Sequence, residues 1–374
     1  MTNKVDATCS RNFYFIHLYN DHSGSPRVLR EMVDSISDNR HIITSNTDGI
    51  LSGINGVTYS KFRYFPARNL FFKLFFYLVA NINIFFILLR LLIVNRKTKN
   101  IVIVNTMLPF GALLASKLTN TPVTSYVHET SVRPALLKKF LRAVIEVCAS
   151  NVIFVSKFLF DKEKFKRITN QEIIYNPVSP NLVSAPKDIN YIGKFNARNV
   201  IFISSLLAYK GIADLIDIAK LSLMAEDQII YTLVLNCTEK QLEEFLTEQV
   251  LPQNIQVICR PDDLRKLYLK SSFVLNLTHP NIWLETFGLT LVEGMANGCI
   301  PIGPVAGAPV ELIEKNYGFN IDHKDHSSIR DAIVSILSDF KSFEFYAKNA
   351  KTKSDFFSLK VFQDKINDFI DGSF

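Results

Sequence analysis

At 374 residues, with 48% hydrophobic and 21% charged side chains, the chain has room for two domains with their own cores and is excluded from the disordered class. The net charge of +7 is unevenly shared: residues 1–188 carry 24 Lys+Arg against 12 Asp+Glu, and the rest 18 against 23. A basic first half calls for an anionic partner; its basic residues are dispersed and accompany no nucleic-acid-binding module, so an anionic membrane surface or a lipid phosphate is expected and nucleic acid is not.

The five cysteines (Cys9, Cys148, Cys237, Cys259, Cys299) stand far apart and never as C-x-x-C. That argues against a disulfide framework and a zinc site and fits a reducing cytosol. The opening MTNKVDATCSRN has no apolar core of signal-peptide type, so a cytoplasmic protein is expected.

Residues 13–18, FYFIHL, read as a strand that breaks into Tyr19-Asn20-Asp21-His22-Ser23-Gly24-Ser25-Pro26, after which Val28, Leu29, Met32, Val33 and Ile36 take helical spacing. Gly24 and Ser25 therefore sit where doubly wound folds place a ligand-facing loop, at the carboxyl end of the first strand. Short strands follow at 41–44 and 56–59. Residues 70–94 are the oddest stretch. Only 16 uncharged residues separate Lys73 from Arg90, about 24 Å of helix, where a span needs roughly 20 apolar residues. Asn81 and Asn83 within the stretch, and strand 101–105 after it, favour one or two buried or interface-lying helices over a transmembrane span.

Residues 122–129 form a strand ending in His128-Glu129. The helix expected over 131–149 turns Leu137, Phe140, Leu141, Val144, Ile145 and Cys148 inward. It turns Arg133, Lys138, Lys139 and Arg142 outward, a basic face that is either solvated or docks on anionic lipid. Strand 151–156 and a turn at Asn176-Pro177-Val178 close the first half. We place the first domain at 1–187 and the second at 188–355, with a Pro-, Asn- and Ser-rich linker over 179–198.

In the second half, strand 199–205 ends at Ser205 and leads through Lys210-Gly211 into a helix over 213–223. Strands at 229–236 and 255–260, with a helix at 239–249 between them, bring the chain to Arg260. The stretch 271–280 then delivers NIWLETFGLTLVEGMANGCIPIGPVAG, residues 281–307, with a strand at 300–302. Leu289, Val292, Met295 and Ala296 fall at helical spacing, so a helix starts near Gly288, with Glu293 riding on it and Glu285 in the loop before. Thr286-Phe287-Gly288 follow Glu285 directly. A helix start offers unpaired N–H groups and the positive end of the macrodipole, so a phosphate beside Phe287, Gly288 and Leu289 is favoured, and glycine admits its close approach. Glu293 can then accept from a ribose hydroxyl and Glu285 from a sugar, which is the shape of a nucleotide-sugar site. From 327 on the chain is largely helical, and 356–374 is amphipathic.

The block E-x-F-G-L, the seven residues between Glu285 and Glu293, and the following E-G-M-A-N-G-C-I-P and A-G-A-P-V-E resemble the donor-binding segment of glycosyltransferase family 4. The resemblance implies an α/β GT-B fold, two doubly wound Rossmann-like domains facing across a cleft, with 356–374 crossing back onto the first. It also implies retaining, metal-independent transfer of a sugar from a nucleoside diphosphate to a saccharide or lipid-linked saccharide, of the kind used in surface polysaccharide synthesis. Carried over by position, it puts Lys210, Ser205 and the 287–289 amides, beside Thr286, on the diphosphate, Arg260 near the base and Glu293 on the ribose. Glu285 would orient the donor sugar, or act as a covalent nucleophile beneath the anomeric carbon. His128 would stand on the acceptor side, and Gly24 and Ser25 in the cleft loop, where the family's usual paired glycines are absent.

Ser205 stands where the family often has arginine, so either Lys210 and backbone amides carry the diphosphate alone or another cation, such as Arg27, helps. No Asp-x-Asp occurs in the sequence, which fits a site that needs neither cofactor nor metal. Joined to the charge split and to residues 70–94, the resemblance implies a cytoplasmic protein held peripherally on the inner face of the cell membrane. Three other readings stay open: a nucleotide-sugar epimerase of the same fold, a phosphorylase using inorganic phosphate and a long glucan, which would normally need a larger chain, and a non-catalytic membrane-surface binding protein.

Overall fold

The computed structural model describes residues 11–65, 67 and 69–373; Cys9 lies outside the described residues. The chain forms two compact units, one ending at Tyr175 and taking in the chain from Phe362 onward, the other Asn176–Val361.

The first unit runs β1 (Arg11–Ile16), α1 (Gly24–Ser35), β2 (Asn39–Ser45), β3 (Val57–Phe62), α2 (Leu70–Val94), β4 (Lys99–Asn105), α3 (Phe110–Leu118), β5 (Val123–Val127), α4 (Ala135–Cys148), β6 (Asn151–Phe154), α5 (Lys157–Glu163) and β7 (Asn170–Ile173). The strands form one parallel sheet in the order β3-β2-β1-β4-β5-β6-β7. Phe15 stands opposite Ile42 on one side and Ile103 on the other, and the central strands are apolar runs because helices cover both faces. The order reverses between β1 and β4, which places a ligand crevice at their carboxyl ends.

Residues 70–94 form one helix. Tyr77, Ala80, Asn81, Ile84, Leu88 and Leu92 are buried, while Phe71, Phe72, Phe75, Ile82, Phe86, Ile93 and Val94 are exposed. Asn81 lies on the protein side: its Oδ1 accepts the Gly111 N–H at 2.9 Å, and its Nδ2 donates to the Tyr77 carbonyl. Gly111 permits this approach, since a Cβ there would lie 2.1 Å from the Asn81 carbonyl oxygen. By length and composition alone α2 could cross a membrane, and 33% of its most apolar window is buried.

Helix α4 corrects the expected basic face. Lys138 and Arg142 both reach the buried carboxylate of Glu163, with the Thr130 hydroxyl as a third donor, so two of the four charges serve an internal ion pair. Phe140, expected inside, is 44% exposed and packs edge-on against Phe110.

The second unit runs α6 (Tyr191–Ala197), β8 (Asn199–Ser204), α7 (Ile212–Met224), β9 (Ile230–Leu235), α8 (Glu239–Glu248), β10 (Ile255–Cys259), α9 (Leu264–Lys270), β11 (Phe273–Leu275), α10 (Leu289–Ala296), β12 (Ile300–Gly303), α11 (Pro309–Leu312), β13 (Phe319–Asn320), α12 (His326–Ile336), α13 (Phe340–Ser354) and the start of α14 (Leu359–Ser373). Its parallel sheet has the order β10-β9-β8-β11-β12-β13, with the reversal between β8 and β11.

The unit boundary at Asn176 falls at the Asn176-Pro177-Val178 turn expected to close the first half, well before the expected domain limit at 188, and the expected linker 179–198 is packed structure. Asn297 donates to the Leu182 carbonyl and accepts from Ser184 Oγ, and Lys194 on α6 is buried with its ammonium on the Tyr268 and Asn297 carbonyls. At the other end α14 leaves the second unit at Val361 and joins the first, where Arg11 pairs with Asp371 and Asn170 donates to Ser373.

Candidate functional site

The carboxyl ends of β8 and β11 frame the second unit's switch point, where open parallel sheets take ligands. β8 hands over to Ser205, half-buried, whose carbonyl accepts from the Leu207 N–H and the Ser204 hydroxyl. A 3-10 turn, Ala208–Lys210, follows, and Gly211 starts α7 at φ +86°. Only glycine fits at 211: its backbone is left-handed, and a Cβ would lie 2.4 Å from the Leu277 carbonyl oxygen.

This close approach of the two loops brings Lys210 to Glu285. Lys210 Nζ donates to Glu285 Oε2 at 3.2 Å, and Asn276 Nδ2 and Thr278 Oγ1 each lie 3.4 Å from the same oxygen. The backbone of Glu285 is fixed as well, because its carbonyl accepts the Ala308 N–H at 2.9 Å. The lysine and glutamate side chains keep 25% and 17% of their surface exposed, so an entering ligand can reach both. Tyr209 and Trp283 stack beside the pair with ring centroids 5.6 Å apart.

Gly288 caps α10 in the left-handed region at φ +106°, and the first amides of a helix have no partner within it. Phe287 is buried edge-on against Phe357, anchoring the loop, while Thr286 and Leu289 on either side are half-buried. Glu293 is only 2% exposed, and one of its oxygens accepts from the Tyr268 hydroxyl at 2.9 Å. Arg260 stands exposed at the end of β10, two strands from β8, where its Nε donates to Asn236 Oδ1 at 3.0 Å. The structure thus brings together Lys210 and Glu285, seats Glu293 beside Tyr268, and leaves Arg260 apart. Asn276 and Thr278 escaped the sequence reading; their only signal was a run of short polar residues ending an apolar strand.

In the first unit the switch point is lined from β1 and β4. Asn105 Nδ2 lies 3.0 Å from His17 Nδ1 and 3.1 Å from the Ser25 carbonyl, which ties the Gly24-Ser25 loop to the sheet. Because the amide donates, His17 carries its proton on Nε2. Burial pushes His17 down to about 4 and His128, just beyond β5, down to about 3. The nearby His17 lowers His128 further. The buried Nε2 of His128 has no hydrogen-bond partner among the described residues, and the ring packs on Tyr126 at 4.4 Å. A neutral, weakly basic imidazole suits hydrogen bonding to a ligand rather than proton abstraction. Burial raises Glu129 to about 7, although its carboxylate accepts the Met107 N–H.

Residues 189–353 match the family described as Glycosyl transferases group 1. Among solved structures, Alr3699/HepE of Anabaena in complex with UDP and glucose superposes with a TM-score of 0.75 at 18% identity, covering 96% of this chain and 99% of that one. Sucrose-phosphate synthase of Thermosynechococcus elongatus gives 0.72 at 15% identity, over 97% and 98%. A glycosyltransferase from Rickettsia africae gives 0.71 at 18% identity, over 96% and 99%. A rice protein, probable sucrose-phosphate synthase 2, is 41% identical over 58 residues, which span 15% of this chain and 6% of that relative. The chain therefore has the two-sheet GT-B fold, and its residues 189–353 match the Glycosyl transferases group 1 family.

Proposed function

We propose that the protein moves a glycosyl group from a nucleoside diphosphate sugar to an acceptor hydroxyl, with retention at the anomeric carbon and without a metal on the diphosphate. The observation that carries this reading is the Lys210–Glu285 pair at 3.2 Å, set between two strand ends beside the start of α10. A diphosphate entering there draws the ammonium away from Glu285 and takes the first amides of α10, so charge that grows as the glycosidic bond breaks meets fixed positive partners. Glu285, released from Lys210, orients the hydroxyls of the donor sugar. Glu293, its carboxylate held in place by the buried Tyr268 hydroxyl, serves the ribose, and Arg260 the base. The leaving phosphate oxygen takes the acceptor proton, a front-face route. HepE, of similar fold, has been solved with UDP, which makes a uridine nucleotide the first donor to try.

A thermal-shift screen of the whole protein against a panel of nucleotide sugars tests this. A true donor at a hundred times its Kd adds about 2.7 kcal/mol and raises Tm by about 5–10 °C. No shift with any of them overturns the reading. Sugar isomerised without acceptor, rather than transferred, would replace it by an epimerase.

The exposed stripe of α2 favours a membrane-bound acceptor. Phe71, Phe72, Phe75, Ile82, Phe86 and Val94 form an apolar face too large for ordinary surface, with exposed Lys73, Arg90, Arg96 and Lys97 around it. Apolar burial together with about 1 kcal/mol per basic residue near anionic lipid gives stable peripheral binding. The first unit then lies on the inner face of the cell membrane and takes a lipid-linked saccharide. Flotation with anionic but not neutral vesicles, lost at high salt, is the expected result. Absence of flotation removes this placement, and flotation that survives salt and carbonate makes α2 a spanning helix.

A further inference from the structure

Three histidines surround one carboxylate behind the Lys210–Glu285 pair. Asp214 lies in the first turn of α7, His279 just past β11, and His323 and His326 where β13 gives way to α12. His279 Nε2 is 2.6 Å from Asp214 Oδ2, and His326 Nε2 is 2.9 Å from Asp214 Oδ1. The rings of His279 and His323 stack with centroids 4.1 Å apart. His323 is buried, and its Nδ1, although 3.2 Å from an Asp322 oxygen, has no hydrogen-bond partner among the described residues. A carboxylate oxygen, the His279 ring nitrogen and a buried His323 ring thus gather at one place, and oxygen with imidazole nitrogen is a donor set that transition metals take.

We propose that Asp214, His279 and His323 bind a divalent transition-metal ion of the zinc class, with His326 holding the second Asp214 oxygen. One ligand atom from each of the three residues already lies within 4.8 Å of the others. Ligands at 2.0–2.1 Å around tetrahedral zinc stand about 3.3 Å apart, so small side-chain rotations close the site. Nitrogen donors select against magnesium and calcium, which take oxygen. A fourth position remains for water. His326 fixes the orientation of Asp214, as outer partners of metal ligands do.

The ion would tie the loop after β13 to both donor-site loops. The His279 N–H donates to the Tyr209 carbonyl next to Lys210, and the Trp283 N–H donates to the His279 carbonyl in the turn leading to Glu285. Metal binding itself does not rest on the glycosyl-transfer reading; only its effect on the donor loops does.

The test is titration of the chelator-stripped full chain with Zn²⁺, followed by calorimetry, metal analysis and Tm in the absence of nucleotide. One equivalent bound with a raised Tm is expected, and Mg²⁺ should do neither. Asp214→Asn and His323→Ala should lose the equivalent, and His326→Ala should weaken it about 10–100-fold. Cys237→Ser should keep it, which separates this site from the thiols of Cys237 and Cys259, 3.6 Å apart. Failure of the native chain to bind one equivalent, or undiminished binding in folded His323→Ala, overturns the proposal. Should that variant not fold, Co²⁺ bound to the native chain decides: intense tetrahedral d–d bands support the site, and weak octahedral ones sink it.

Discussion

Glu285→Gln is expected to bind nucleoside diphosphate at least as tightly as the native protein while losing transfer by about 10²-fold or more. The expectation follows from the partners of one oxygen. Glu285 Oε2 receives Lys210, Asn276 and Thr278 together, so in the ligand-free protein the carboxylate occupies the lysine that the diphosphate needs. A neutral amide releases that lysine and removes a negative charge facing an anionic ligand, and both changes favour nucleotide. The sugar loses by the same change, because a carboxylate accepts hydroxyl hydrogen bonds more strongly than an amide oxygen, and misplacing a reacting group by 1 Å costs about 10²-fold. Calorimetry with the nucleotide and single-turnover transfer read the two halves separately. Near-native turnover at saturating donor removes the orienting role. A sugar found covalently attached to Glu285 by mass spectrometry replaces it with that of a nucleophile.

How much of this was legible in the sequence depended on what each residue type announces. Buried parallel strands announce themselves as short apolar runs, so β1, β4, β5, β8 and β9 stand where the runs are, within a residue or two. β7 did not, because Asn170–Ile173 is a polar strand at the sheet's edge. Helices α5 and α9 are seven residues each, too short to establish a period. The misread linker has a physical reason: Pro, Asn and Ser suggest solvent, and nothing in a sequence shows that Lys194 is buried on two carbonyls. Likewise Lys138 and Arg142 read as surface charge until Glu163, from a different helix, is seen between them.

The site divides in the same way. Glu285 and Gly288 drew notice because their chemistry is local, a carboxylate and a glycine that opens a helix, and Lys210 because Lys210-Gly211 resembles the family's phosphate-binding pair. Asn276, Thr278 and His279 were not, because their role arises only when β11 lies next to β8, a pairing between segments some seventy residues apart that the sheet order establishes. Long-range pairing also explains Gly211. Its need for a left-handed backbone could be guessed from Lys-Gly at a helix start, but the Leu277 carbonyl 2.4 Å from a would-be Cβ could not.

Lys210→Ala is expected to lower kcat about 10²–10³-fold, the usual loss on removing one donor from charge that develops in a transition state. Binding of nucleoside diphosphate should weaken far less. A hydrogen bond to a charged group contributes roughly 1.5–3 kcal/mol, but the ammonium must first leave Glu285, and giving up that pair offsets part of the gain. The net ground-state loss is then near 1 kcal/mol, about fivefold. In the transition state the departing diphosphate carries more charge, so the same lysine gains more there at no further cost of separation. Asn276 and Thr278 still donate to Glu285 in the variant, so its carboxylate is not left bare and the fold should hold. The double variant Lys210→Ala/Glu285→Gln should be no slower than about the slower single one, since both groups act in the same event and their losses do not add. Equal losses in affinity and kcat/KM with kcat unchanged would show that Lys210 only binds. Losses that multiply in the double variant would show that the two groups act independently, and the coupling drawn from their contact would be wrong.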